Sequence, residues 1–83
     1  MKLKEVKKIA DRISKKYGMI DNEGIPLVIA ERLTLIGGLK CVEVRTELVS
    51  YEGGDELLTK VEEKLGYRGE NLGGCVYRFF KEV

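Results

Sequence analysis

Leu3, Val6, Ile9, Ala10, Ile13 and Tyr17 recur at steps of three and four residues, and no other pattern in the chain restricts its fold as strongly. At 100° per residue they fall within an arc of about 120°, one apolar stripe along an α-helix. The spacing predicts a helix over residues 2–17 that must bury one side. Lys4, Lys8, Asp11, Arg12 and Lys15 occupy the other side. Gly18 stands where a left-handed residue closes a helix, and Lys15 and Lys16 suit the negative end of its dipole.

Such a stripe needs a partner layer, and 83 residues supply a single domain spanning 1–83. A domain of this size buries only about 60–65% of the surface its unfolded chain exposes. A disulfide, dense ion pairing or a second copy would each supplement so thin a core. Charged residues make up 35% of the chain, and Asn22 and Asn71 are its only side-chain amides. That Lys/Glu-rich, amide-poor composition is thermophile-like.

Asp21-Asn22-Glu23-Gly24 reads as a turn. Residues 25–36 admit two readings. Pro26 suits a first helical turn, Ile25, Val28, Ile29, Leu33 and Ile36 keep helical spacing, and Gly37-Gly38 supplies a stop. The run from Ile25 to Ala30 also suits a buried strand. Helix is the expectation, because Ala30-Glu31-Arg32-Leu33 is a poor strand interior.

Val42, Val44, Thr46 and Leu48 alternate with Glu43, Arg45 and Glu47, as in a half-buried strand. The apolar phase then passes to Val49 and Tyr51, which fits one bent strand or a short hairpin. Asp55 to Leu65 reads as a helix with acids at its start, a stripe of Leu57, Leu58, Val61 and Leu65, and Gly66 as its stop. Residues 67–74 read as a glycine-rich loop, and Cys75 to Val83 as a closing strand. The expected fold class is therefore α+β: two N-terminal helices, a strand region, a helix and a C-terminal strand (α-α-β(β)-α-β), with the helices packed on a small sheet. A strand, crossover helix and strand favour parallel pairing, while the long loop before Cys75 also permits an antiparallel return.

The chemistry on offer is narrow. There is no His, which removes the commonest general base and metal ligand and excludes Ser-His-Asp and Cys-His arrangements. Cys41 and Cys75 form no CxxC pair and no zinc spacing. They read as buried apolar residues or, in a hyperthermophile, as an internal disulfide. The loop Gly66 to Gly74 offers Arg68, Gly69, Gly73 and Gly74 as anion-binding candidates, but it lacks the Gly-Lys-Ser/Thr ending of a P-loop. Asp21, Asn22 and Glu23 read as turn residues, and Glu52, Asp55 and Glu56 as the acidic start of a helix. No metal site, cofactor or enzymatic activity is expected.

Charge is unevenly placed. Residues 1–20 hold seven Lys/Arg against two Asp/Glu, a balance of +5, and residues 21–83 hold eight against twelve, a balance of −4. Lys4, Lys8, Arg12 and Lys15 are thus candidates to track a phosphate backbone. Tyr17 lies within the apolar stripe, so no stacking ring is expected beside them. In the last strand, Tyr77 and Phe79 alternate with Val76 and Phe80. Apolar groups on both faces suggest cover on both sides, and Tyr77, Phe79 and Phe80 are candidates for an interface.

The chain carries no RRM, KH or zinc-finger signature. No run approaches the eighteen or so apolar residues that span a bilayer, and the charged N-terminus lacks a secretory apolar core, so a cytoplasmic protein without membrane contact is expected. The leading expectation of function is a non-catalytic protein–protein interaction or assembly module that self-associates or joins another subunit. A nucleic-acid-binding protein using the basic helix face is the alternative, and a small-ligand-binding domain at the Gly66–Gly74 loop a second.

Overall fold

Six elements follow one another: α1 (Leu3–Lys16), β1 (Val28–Thr34), β2 (Lys40–Thr46), α2 (Gly54–Leu65), β3 (Arg68–Asn71) and β4 (Val76–Phe80). The structure, a computed structural model, describes residues 3–34, 40–46 and 53–80. Gly37-Gly38, the change of phase at Val49 and Tyr51, and Glu52 lie outside the described residues. The four strands form one sheet in the order β1-β2-β4-β3, with every neighbouring pair antiparallel. The α+β class holds, with two helices on a four-stranded sheet.

The N-terminal helix forms as its periodicity predicts. Val6, Ala10 and Ile13 are buried. The buried hydroxyl of Ser14 donates to the Ala10 carbonyl at 2.8 Å, so its polar group is satisfied within the helix. At the C-terminal end Met19 N–H bonds to Ser14 O at 2.8 Å and Gly18 N–H to Lys15 O at 3.3 Å. Gly18 has φ 72°. This is a Schellman closure with Gly at its left-handed position, and the buried Met19 supplies the apolar contact that accompanies it.

The second expected helix is instead β1. Its residues pair one for one with β2, from Val28 opposite Thr46 to Thr34 opposite Lys40. In that register Val28 stands opposite Thr46 and Ala30 opposite Val44 on the face that meets the helices, while Ile29 and Glu31 face the other side. A polar run that is poor in a central strand is acceptable at a sheet edge, where one face and one side meet water. The Asp21 turn feeds the strand: Asp21 Oδ1 accepts the N–H groups of Glu23 and Ile25 at 2.8 and 2.9 Å.

Within the glycine-rich segment 67–74, which reads as a loop, Arg68–Asn71 forms a strand. That extra strand reverses the chain, so β4 returns antiparallel to β2 rather than crossing over in parallel. Gly69 explains the fit. A Cβ there would lie 2.6 Å from Leu58 and 2.7 Å from the Phe79 ring. Gly54, the first residue of α2, likewise stands where any side chain would collide with the Tyr77 hydroxyl.

Both helices lie on one face of the sheet and enclose one core that joins Val6, Ala10 and Ile13 to Val42, Val44, Leu57, Val61, Tyr77 and Phe79. The opposite face is mixed: Ile29, Cys41, Val76 and Phe80 share it with charged side chains. Glu43 accepts from Arg78 Nε at 3.0 Å, and Glu31 from Arg45 at 3.4 Å. Glu31 and Glu43 stand directly opposite each other, a repulsive arrangement that the two arginines offset. Among the described residues no helix is long and apolar enough to cross a membrane.

Gly69→Ala should destabilise the domain by about 1–3 kcal/mol through overpacking against Phe79. The check is the urea midpoint, which should fall with m unchanged; an unchanged midpoint would show that β3 does not approach the core this closely.

Candidate functional site

Lys4, Lys8, Arg12 and Lys15 are exposed on α1 and share its outer face with Lys7 and Asp11. Helical spacing places them there, because the stripe buried against the sheet leaves the opposite side to water. Lys7 is paired with Asp11 at 2.7 Å. Lys4, Lys8, Arg12 and Lys15 have no ion-pair partner among the described residues.

A second feature adjoins this face. Between α1 and α2 lies a crevice of about 160 Å³ lined by Ile9, Arg12, Ile13, Lys16, Glu56, Lys60 and Lys64. Arg12 belongs to both, so the basic face of α1 adjoins Lys60 and Lys64 of α2. Lys16 at the end of α1 meets Glu56 at the start of α2, so the two helices run antiparallel. Lys60 and Lys64 join the basic surface from α2, outside the four cations expected from the helix pattern. The available signal was the four-residue step Glu56-Lys60-Lys64, which runs down one flank of the buried Leu57–Val61 stripe.

Glu56 holds the end of the crevice. Its carboxylate accepts Lys16 Nζ at 2.8 and 3.1 Å and the Tyr17 hydroxyl at 2.9 Å. These hydrogen bonds, from Lys16 first and then Tyr17, hold its pKa below the ordinary 4.5. The same contact raises Lys16 above its ordinary 10.5. Tyr17 departs from its expected place in the buried stripe: it is 39% exposed. It follows the last helical residue, and its ring lies where a Cβ on Gly53 would stand 2.5 Å away. Lys16 Nζ is 5.5 Å from the ring centroid. An aromatic ring therefore does border the basic surface.

The other candidates are dispersed. Arg68 and Gly69 lie at one end of the β3–β4 hairpin, opposite Phe80 and Phe79, and Gly73 and Gly74 form its turn. About four residues of extended chain, ~13 Å, separate the two pairs. Arg68 sits over the Phe80 ring at 6.0 Å, while the Gly73 N–H is already bonded to Asn71 Oδ1 at 2.8 Å. Tyr77 and Phe79 are 6% and 0% exposed in the core, so only Phe80 of the three aromatic candidates reaches the outer face. Asp21 uses one carboxylate oxygen to close its turn. Among the described residues no three Cys, Asp or Glu converge to hold a metal.

The cysteines are free and buried. Cys41 stands opposite Phe80, whereas Cys75 precedes Val76 at the other end of β4. They are about five residues apart along the strands, ~16 Å, far beyond disulfide reach. Burial is the main cause that pushes the Cys41 thiol above its ordinary pKa.

Two outcomes follow from this geometry. Neutral iodoacetamide should label both thiols slowly in the folded domain and quickly in urea, and mild oxidation should form no intrachain disulfide; fast, selective labelling of Cys75 would contradict its packing. The lowered pKa of Glu56 gives stability that is present above about pH 4.5 and lost as pH falls through the folded value, while the raised value for Lys16 makes the upper limit lie above about pH 10.5. Glu56→Gln should therefore lower the urea midpoint near pH 7 and match wild type near pH 2; a constant difference across that range would rule out the ionised bridge. No family model matches this chain, and neither curated proteins nor solved structures yield a match, so its function is argued from this geometry.

Proposed function

We propose that the domain is a non-catalytic nucleic-acid-binding module that engages the sugar–phosphate backbone through α1. The supporting observation is the array of Lys4, Lys8, Arg12 and Lys15 along one exposed helix face, without ion-pair partners among the described residues. From Lys4 to Lys15 the helix rises about 16 Å, a length over which one strand of duplex presents about five phosphates. The chain's net charge is only +1. Attraction would therefore come from the local field of α1, and the acidic remainder would orient the domain as it approaches.

The residues favour backbone contact over base readout. Lysines are compact point charges, and Arg12 is the one planar fork on that face of α1. Binding is therefore expected to be tolerant of sequence. A small-molecule role has less support: the crevice, at about 160 Å³, is below the roughly 300–1,000 Å³ of ordinary ligand sites. Self-association through an aromatic patch also has less support, since Tyr77 and Phe79 are consumed by the domain's own core.

Four phosphate contacts on a single strand predict a log K against log [salt] slope of about −3. Lys8→Glu combined with Lys15→Glu should weaken retention and bring the slope to about −1.4. Both side chains are exposed, so the circular dichroism spectrum should not change. The measurement is fluorescence anisotropy with labelled oligonucleotides at 20–300 mM salt. Absence of binding at the low end, or binding indifferent to salt and to both substitutions, would end the proposal.

A further inference from the structure

Resting on that reading, we infer that the preferred ligand is a single strand, and that one unstacked base enters the crevice between α1 and α2 while the backbone follows the lysines around it. Three observations carry this. The crevice is lined by the apolar Ile9 and Ile13 of α1 and by the cations Arg12, Lys60 and Lys64, while Lys16 is already paired with Glu56. A duplex keeps its base faces stacked inside and presents charged backbone to those isoleucines. A single strand supplies both a phosphate for the cations and a base face for the isoleucines.

The crevice is also too small for a whole ligand and suited to one group of a polymer. Its position along the track fits this. Arg12 belongs to the basic face of α1 and to the crevice, so a backbone running along Lys4 and Lys8 reaches the opening at Arg12, whose guanidinium plane is itself a stacking surface. Glu56 lines the crevice, and the exposed Tyr17 ring lies next to it, with its hydroxyl donating to Glu56. The Glu56 carboxylate repels phosphate, and its Oε1, which accepts only from Lys16 while Oε2 accepts from both Lys16 and Tyr17, keeps an acceptor site for an N–H of a base edge. The crevice thus distinguishes the two ends of a nucleotide, with phosphate at the lysines and base toward Glu56 and Tyr17.

The experiment is a comparison, by anisotropy in the same buffer, of a labelled single-stranded 12-mer with its duplex. The single strand should bind at least about five-fold tighter, the lower end of one base-stacking contribution. Lys60→Ala with Lys64→Ala, and separately Tyr17→Ala, should each weaken the single strand and leave the duplex unchanged; neither change touches Lys4, Lys8 or Lys15. Tyrosine fluorescence should be quenched by the single strand in wild type and less so in Tyr17→Ala. Equal affinity for the two forms, with all variants like wild type, would overturn the crevice assignment and leave the backbone-binding module standing. Retention of neither form would overturn both. So would equal binding to polyglutamate or to anionic phospholipid vesicles, because the surface would then respond to charge alone.

Discussion

The seating of Val6, Ala10 and Ile13 in a common core with Val42, Val44, Leu57 and Phe79 determines what the rest of the molecule presents to water. Burial of a Val, Leu or Phe side chain contributes roughly 1.5–3 kcal/mol, more than any exposed ion pair on α1 supplies. The apolar contact therefore sets the rotation of the helix. Once that rotation is set, Lys4, Lys8, Arg12 and Lys15 have only one direction to face. The basic face is a consequence of core packing, and its charges need no mutual attraction to assemble.

The two faces of the sheet make contrasting use of charge. On the outer face, Arg45 and Arg78 are matched to Glu31 and Glu43 at 3.4 and 3.0 Å. These pairs neutralise one another and limit the field they project. On α1 Lys7 and Lys16 alone have acidic partners among the described residues. Cations left without partners in a chain rich in carboxylates project a field that matched pairs would cancel. The same contrast separates Phe80, lidded by Arg68, from Ile9 and Ile13, which line an open crevice.

Periodicity made α1, α2, β2 and β4 legible in the sequence, and Gly18 and Gly66 marked the helix ends where both adopt positive φ. It did not reveal β1, because Ala30-Glu31-Arg32 is an edge segment whose conformation is set by pairing with β2 rather than by its own preference. Nor did it reveal β3: Arg-Gly-Glu-Asn has no alternation, and its strand depends on Gly69 fitting under Leu58 and against Phe79. Of the site, the α1 lysines were visible as the polar side of an amphipathic pattern. Lys60 and Lys64 were not, since only the antiparallel approach of α2 brings them beside Arg12. Tyr17 was assigned to the stripe by spacing, yet the chain leaves the helix there and the ring turns to Gly53 and Glu56.

The pairing of β2 with β4 has a consequence for how the molecule comes into being on the ribosome. Glu43 and Arg78 are joined across 35 residues of chain, so the central strand cannot gain its second neighbour until α2 and the β3–β4 hairpin have emerged. Closure of so long a segment slows folding relative to helix or hairpin formation. During that interval the nascent β1–β2 ribbon has an open inner edge carrying Val42 and Val44. The alternating Glu43 and Arg45 on that edge are the charges that discourage it from pairing with a neighbouring polypeptide before its own last strand arrives.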